Sequence, residues 1–260
     1  MPNTLFTGKV YLRFDELSST NDYAAELLAA ALPSSTKSKP AEGTVIRADR
    51  QSAGRGQFGS RWESDHGKNL TFSVILYPEW LEVSAQFQLS MAVALAVHDT
   101  IGSLYSGPLP VRIKWPNDLY IGDRKTGGIL IQNSLSGITI QSSIIGIGLN
   151  INQLHFDPNV PNPTSLASAS GQSFNLDHVM DHLFECLEHR YLQLKTGKAV
   201  FIRAAYEALL YRRGVSSNFM ETATEQVFSG IIEGVTDAGQ LRITTAQGER
   251  LFSVKEVRIV

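Results

Sequence analysis

A basic, glycine-rich stretch over residues 49–69, DRQSAGRGQFGSRWESDHGKN, concentrates groups that bind anions. Its glycines at 54, 56 and 59 permit positive φ angles and close approach of the backbone to a ligand. Its arginines at 50, 55 and 61 supply planar donor forks that suit carboxylate or phosphate. Apolar segments predicted as strands flank it, so the loop is predicted to clamp an anion. A basic loop that only connects two strands is the simpler alternative, because short glycine-rich patterns are weak evidence.

A second dense stretch, VRIKWPNDLYIGDRKTGGILIQ, covers residues 111–132. Alternation places Lys114 on the strand face opposite Val111 and Ile113. The pair Gly127-Gly128 predicts a bulge, or backbone close to a ligand. A lysine at a strand end beside an anion site is a candidate electrostatic catalyst. A lysine on a solvated sheet face is the alternative.

Polar residues precede or follow other predicted elements. Ser19, Thr20 and Asn21 stand before a predicted helix, where they could either cap it or face a ligand. The run ITIQSSIIGIGLNIN, residues 138–152, predicts a buried strand whose glycines at 146 and 148 allow close backbone approach. At its exit, Asn150 could hydrogen-bond a base or ribose, or form an Asx turn.

The remaining pattern predicts helices, then short strands. Helices are predicted at residues 84–101, 164–169 (capped by Thr164), 175–195 and 200–210, with a strand at 10–14. After Gly214, short alternating segments at 226–234, 240–245 and 250–254 predict a small β-barrel. The Pro/Ser/Lys-rich segment 33–40 is predicted to be an exposed connection.

Composition excludes several classes of protein. The 260 residues carry a net charge of −2, which argues against a general nucleic-acid binder. A single cysteine excludes a disulfide within the chain, and no Cys/His cluster has metal-ligand spacing. There is no signal-peptide pattern and no apolar run long enough to span a membrane. We therefore expect a soluble cytoplasmic protein that binds neither DNA nor membrane.

Four motifs together resemble biotin–protein ligases in order and spacing. They are STN at 19–21, RQSAGRGQFGSRW at 50–62, KWPNDLY at 114–120 with GGIL at 127–130, and GIGLNIN at 146–152. The resemblance implies an α+β fold: a mixed β-sheet flanked by helices, the class II synthetase-like ligase core, over residues 1–212. A small C-terminal SH3-like β-barrel over 213–260 is implied to follow. The early start of the core resembles the short form without an N-terminal DNA-binding domain.

The resemblance also implies a two-step reaction. Biotin and Mg·ATP give biotinyl-5′-adenylate and pyrophosphate, and biotin then passes to one lysine of a biotin carboxyl carrier protein domain, as in acetyl-CoA carboxylase. Mg²⁺ is implied to arrive with ATP rather than on a protein cluster. A homodimer is possible, with the strand edge near residues 114–132 as a pairing surface.

Individual roles follow from the same resemblance. Arg55 and Lys114 are the implied catalytic residues, because they could neutralise the carboxylate and the α-phosphate. The implied biotin-binding residues are Ser19, Thr20, Asn21, Gln51, Gly54, Arg55, Gly56, Gln57, Lys114 and Gly128. The implied ATP and adenylate residues are Arg55, Trp62, Lys114 and Asn150.

One departure concerns Gln57-Phe58, where the family commonly has two arginines. Loss of a cation there is predicted to weaken retention of the adenylate by about 1.5–3 kcal/mol. Arg61 could compensate, and Phe58 could instead cover the biotin pocket. The alternative functions are a lipoate–protein ligase or octanoyl transferase, which share the fold, and a non-catalytic biotin-binding regulator.

Overall fold

The computed structural model describes residues 2–31 and 38–260, and the backbone but not the side chain of Phe58. The predicted connection over 33–40 therefore lies largely outside the described residues. The idea that Phe58 covers the pocket also lies outside them.

A seven-stranded sheet forms the larger part of the protein. Its strands are β1 (Tyr11–Leu17), β2 (Thr44–Gln51), β3 (Leu70–Leu76), β4 (Val111–Lys114), β5 (Asp118–Ile121), β6 (Arg124–Ser136) and β7 (Thr139–Leu149). Their order is β1-β2-β3-β7-β6-β5-β4. Strands β1 and β2 are parallel, while the other neighbours are antiparallel. The predicted mixed sheet is confirmed.

Helices cover both faces of this sheet. They are α1 (Thr20–Ala29), α2 (Gln86–Leu104), α3 (Leu166–Ser170), α4 (Leu176–Lys195) and α5 (Ala199–Ala208). Successive side chains of a strand point to opposite faces. Accordingly Val45 and Val74 join the large core with α2 and α4, whereas Ile46 and Ile75 join a second core beneath α1. Of the described helices, the ten-residue α1 packs in that second core, which leaves sheet surface beside it for a cavity.

The chain ends in a second, five-stranded antiparallel sheet. Its strands are β8 (Ser216–Glu221), β9 (Val227–Val235), β10 (Leu241–Thr245), β11 (Gly248–Phe252) and β12 (Val257–Ile259). Their order is β11-β10-β9-β8-β12. Strands β8 and β12 were not predicted from the sequence. Within the described part of the chain β11 and β12 do not pair, so the predicted barrel is not closed; β12 has three residues and uses them against β8.

Contacts from the β9–β10 loop and from α5 hold the turn that follows β4. The Trp115 indole N–H donates to the Gly239 carbonyl at 2.9 Å, and the Tyr206 hydroxyl donates to the Pro116 carbonyl at 3.1 Å. The Trp115–Pro116 peptide bond is cis. These contacts fix the position of the turn that carries Asn117. The predicted domain limits, 1–212 and 213–260, stay a prediction.

Three details correct or limit the sequence-based expectations. The cap of α3 is Ser165, whose hydroxyl accepts the Ser168 N–H at 3.0 Å, and not Thr164. The edge strand β4 is partly covered, because Ile113 exchanges backbone hydrogen bonds with Leu209 and Tyr211. This covering limits the predicted pairing of that edge with a second subunit. In the described residues, no helix combines the length and the apolar character needed to cross a membrane.

Candidate active site

A cavity of about 210 Å³ lies on the α1 face of the large sheet. It is bounded by the N-terminus of α1, the loop after β2, the turn between β4 and β5, and strands β3, β6 and β7. The lining residues are Ser19, Thr20, Asn21, Gln51, Arg55, Gly56, Gln57, Ser60, Arg61, Trp62, Phe72, Asn117, Asp118, Lys125, Gly128, Ile129, Leu130, Gly146, Ile147 and Gly148. Sequence stretches up to 129 residues apart therefore meet in one site.

The glycine-rich loop forms a narrow hairpin over the cavity. Arg55 and Arg61 face each other across it, and the Gly56 N–H donates to the Ser60 carbonyl at 2.7 Å. Of the three glycines expected to have positive φ, only Gly59 does, at 82°. Gly54 is needed for space instead, because a Cβ there would overlap the Trp62 carbonyl. A Cβ at Gly56 would overlap the Ser60 hydroxyl in the same way.

The predicted polar residues of α1 meet the end of β2. The Thr20 backbone N–H donates to the Gln51 side-chain oxygen at 2.8 Å, and the Thr20 hydroxyl lies 3.2 Å from the same oxygen. The Ser19 hydroxyl accepts the Asp22 N–H at 3.3 Å as the helix cap. Ser19, Thr20 and Asn21 are all buried. The sequence left helix capping and cavity lining as alternatives for these residues. Both occur, because Ser19 caps α1 and all three residues line the cavity.

Three cations and one carboxylate line the cavity. Arg55 Nη1 lies 2.5 Å from Asp22 Oδ1 at the rim, where both side chains are substantially exposed. Arg61 donates to the Ser52 carbonyl at 3.3 Å. Lys125 Nζ lies 2.7 Å from Asp118 Oδ1, the acidic side chain of the lining. The excess of positive charge suits an anionic ligand.

Lys125 and Asp118 also line the cavity, although the sequence analysis did not name them. Their position becomes visible only in the pairing of the strands. Lys125 pairs with Tyr120 on β5, and Tyr120 in turn pairs with Arg112 on β4. A register shift within the β5–β6 ladder separates Lys125 from the glycine pair that follows it. The predicted bulge is therefore present, and Lys125 beside it lines the cavity.

Lys114 does not line the cavity. Its amine donates to the Tyr120 hydroxyl at 3.2 Å, and it borders a separate cavity of about 130 Å³ with Trp115 and Tyr211. Burial lowers the pKa of the Lys114 amine, and Arg212 adds to this effect while Asp118 opposes it. The physical reason for its position is that β4 is the last strand of the sheet, three strands away from β7.

Two further predicted residues, Gly54 and Asn150, also lie outside the lining. The Asn150 side chain is buried, and its amide donates to the Thr164 carbonyl at 3.0 Å. Its backbone N–H donates to the Thr126 carbonyl at 2.8 Å. In this arrangement Asn150 ties the chain after β7 to β6.

Trp62 contributes its indole ring to the lining of the cavity. The ring lies directly against Gly148, where a Cβ would overlap it. Lys125 Nζ is 6.0 Å from the ring centroid. The indole N–H is buried and has no hydrogen-bond partner among the described residues. An indole ring in the lining of a cavity is able to stack on a planar ligand group.

Sequence comparison shows the family to which this site belongs. The sequence model of the biotin/lipoate A/B protein ligase family matches residues 15–150. The chain belongs to this family. Every residue that lines the cavity lies inside the matched segment.

Individual members of the biotin/lipoate protein ligase family are similar over most of the chain. The bifunctional ligase/repressor BirA of Bacillus spizizenii is 34% identical over 252 residues, 95% of this chain and 73% of the relative. The biotin–[acetyl-CoA-carboxylase] ligase of Paracoccus denitrificans is 31% identical over 216 residues, 82% of this chain and 88% of the relative. The solved biotin protein ligase from Aquifex aeolicus in complex with biotin and ATP has a TM-score of 0.78 at 24% identity and covers 97% of this chain and 99% of that one. The last likeness shows that the fold is shared.

Proposed function

We propose that this protein is an ATP-dependent biotin–protein ligase. It forms biotinyl-5′-AMP from biotin and Mg·ATP, and transfers biotin to a lysine of a biotin carboxyl carrier protein domain, such as that of acetyl-CoA carboxylase. The observation that supports this proposal most directly is that one cavity is lined both by the buried polar groups of α1 and by three cations. The relatives named as ligases, which match over most of the chain, support the choice of substrates.

The polar end of the cavity suits the bicyclic urea of biotin. A urea offers one carbonyl acceptor and two N–H donors. Ser19, Thr20 and Gln51 provide hydroxyl and amide groups on the facing wall. Asn21, Gly56, Gln57 and Gly128, which are also predicted to contact biotin, line the same cavity.

The cationic end suits the adenylation step. A carboxylate oxygen of biotin attacks the α-phosphorus of ATP, the new O–P bond forms, and the bond to the β-phosphate oxygen breaks to release pyrophosphate. Two anions must approach each other, so cations at their meeting point lower the barrier. Arg55 and Lys125 are the lining cations that we assign to this role. Lys114, the residue expected from sequence, could act only from outside the lining.

The transfer step follows in the same cavity. The amine of the carrier lysine attacks the acyl carbon, the C–N bond forms, and the bond from that carbon to the phosphate oxygen breaks to release AMP. The amine loses a proton, and Asp118 is the lining carboxylate placed to accept it. The indole of Trp62 is proposed to cover the adenine. Asn150 supports that end from outside by holding the chain after β7.

Pyrophosphate release tests the proposal without any carrier protein. Purified protein is incubated with Mg·ATP and either biotin or lipoate, and transfer to an isolated biotin carrier domain is then followed by mass spectrometry. Biotin-dependent release that is lost in Arg55→Ala and Lys125→Ala, followed by one added biotin on the carrier, supports the ligase. Release with lipoate alone moves the chain to the lipoate branch. Biotin binding without release indicates a regulator.

Two expectations accompany this proposal. We expect the protein to act in the cytoplasm, and we retain the homodimer as a possibility. Analytical ultracentrifugation with and without biotin and ATP measures the second directly.

A further inference from the structure

Ser73 lies behind the cavity wall and does not line it. It is on β3 between Phe72 and Val74, which both belong to the core on the α2 face. Strand alternation therefore directs Ser73 toward α1. Its side chain is fully buried, with 0% exposure. A hydroxyl in this position costs free energy unless it is hydrogen-bonded.

The Ser73 hydroxyl bonds to both polar residues at the start of α1. Its oxygen lies 2.8 Å from Thr20 Oγ1 and 2.6 Å from Asn21 Oδ1. The Asn21 amide nitrogen in turn donates to the Gln132 side-chain oxygen at 2.9 Å. At the opposite end of this series, Thr20 hydrogen-bonds to the Gln51 side-chain oxygen. A continuous row of five polar side chains thus runs from β2 to β6 beneath the cavity.

Counting hydrogens fixes the direction of this row. The Asn21 amide nitrogen is committed to Gln132, so the Asn21 oxygen faces Ser73 and can only accept. A serine hydroxyl has one hydrogen, which it therefore donates to Asn21. The Ser73 oxygen is then an acceptor for the Thr20 hydroxyl. Gln51 accepts the Thr20 backbone N–H at 2.8 Å, and its oxygen is also 3.2 Å from the Thr20 hydroxyl. The Thr20 hydrogen goes to Ser73, because that oxygen pair is closer, at 2.8 Å, and would repel most without a hydrogen between its atoms.

We propose that Ser73 is a positioning residue that sets the hydrogen-bond polarity of Thr20. With its hydrogen directed backward to Ser73, the Thr20 oxygen presents lone pairs to the cavity. It then accepts an N–H of the ligand and disfavours an oxygen in the same place. The inference rests on the proposed function, in which that ligand group is the ureido ring of biotin. Ser73 itself touches neither biotin nor ATP.

The consequence is a defined selectivity. A cyclic carbamate analogue of biotin replaces one ring N–H by oxygen, and this oxygen repels the Thr20 lone pairs. Thr20 can adapt only by rotating its hydrogen away from Ser73 and losing that hydrogen bond. In Ser73→Ala there is nothing to lose, so the variant tolerates the analogue better than the wild type does.

Isothermal titration calorimetry with biotin and with both regioisomeric carbamates measures this effect. Because one hydrogen bond contributes about 1 kcal/mol, Ser73→Ala is expected to bind biotin about fivefold more weakly. The preference for biotin over one of the carbamates is expected to fall by about fivefold as well. The kcat at saturating biotin and the KM for ATP stay within about twofold, since neither step touches Ser73. Ser73→Thr keeps the hydroxyl and restores the preference.

The matched control is Ser143→Ala. Ser143 is equally buried, and its hydroxyl donates to Asn133 Oδ1 at 2.7 Å, but neither residue lines the cavity. Its variant reports the cost of losing a buried serine hydroxyl, and biotin preference should be unchanged. If Ser73→Ala does not fold, Ser73→Cys, of similar size and a weak donor, takes its place with the same expected loss.

The outcomes separate this inference from the proposed function. A wild-type protein that binds no biotin overturns the proposed function. A wild-type protein that binds biotin, with Ser73→Ala and Ser73→Cys retaining the full preference for biotin over both carbamates, overturns the role of Ser73 alone. Equal loss of preference in Ser143→Ala overturns it too, because the effect would then come from general loosening.

Discussion

Lys125 Nζ lies 2.7 Å from Asp118 Oδ1 in the wall of the ligand cavity. The pair is partly exposed, with side-chain exposures of 30% and 24%, so solvent reaches both groups. An incoming anion would compete with Asp118 for the lysine. Lys114, four residues before Asp118, bonds to Tyr120 instead. The two lysines thus border different cavities, and we expect their substitutions to affect adenylation differently.

Lys125→Ala is expected to reduce biotin-dependent pyrophosphate release by about 10²–10³-fold, because a preorganised charge at the reacting phosphate is lost. Lys114→Ala is the control and is expected to lose less, since Lys114 borders another cavity. Single-turnover kinetics of each variant at saturating ATP provide the comparison. Equal losses in the two variants would contradict the assignment of Lys125.

Gln57→Arg is expected to slow the release of biotinyl-AMP. Gln57 lines the cavity between Arg55 and Arg61, and a charged hydrogen bond contributes about 1.5–3 kcal/mol, so the release rate should fall by about tenfold or more. Stopped-flow fluorescence on preformed intermediate measures the rate. An unchanged rate would refute the idea that Gln57 weakens retention of the intermediate. Gln57→Asn serves as the neutral control.

Gly148→Ala is expected to raise the KM for ATP by about tenfold or more. A Cβ at this position overlaps the Trp62 indole, so the ring must move away from the proposed adenine site. Gly102→Ala on α2 is the control, because a Cβ there meets nothing within 4 Å. Steady-state kinetics with varied ATP test both. A rise in the KM for biotin without a rise in the KM for ATP would contradict the proposed contact between the Trp62 ring and the adenine.

Glu188 on α4 is expected to make stability depend on acid pH. Its carboxylate accepts the backbone N–H groups of Leu5, Phe6 and Thr7 at 2.5, 2.9 and 2.9 Å. Burial opposes ionisation, yet these hydrogen bonds outweigh it and lower the pKa of Glu188. A lowered folded pKa stabilises the fold above the ordinary carboxyl value of about 4.3, and this contribution is lost as pH falls through the folded pKa.

Urea unfolding of Glu188→Gln between pH 7 and pH 3 tests this dependence. The variant should be less stable than the wild type by about 1–3 kcal/mol near pH 7, and the gap should narrow as the pH falls. Glu26→Gln, at an exposed position of α1, controls for loss of a charge. A gap that is constant over the whole range would exclude ionised Glu188 as the cause.

Particular elements and residues show which features could be predicted from the sequence. Most strands of the seven-stranded sheet and the helices that cover it were predicted to within a few residues, because their apolar periodicity reflects burial directly. Ser19, Thr20, Gln51 and Arg55, which were named from their motifs, line one cavity, and their ligand contacts stay a prediction. Strand β12 was missed because it has only three residues, and β8 was missed because its sequence SSNFME begins with three polar residues and lacks apolar alternation. Lys125 and Ser73 carried no local signal at all.

The sequence by itself determined the family, the mixed sheet and the polar and basic composition of the site, because motif chemistry and hydrophobic periodicity are local properties of the chain. Only the tertiary structure decided which lysine enters the cavity and which serine stands behind it. Strand register and sheet order control these outcomes, and both depend on pairing between distant segments. A lysine's distance along the chain from the glycine-rich loop says nothing about how many strands separate it from the ligand.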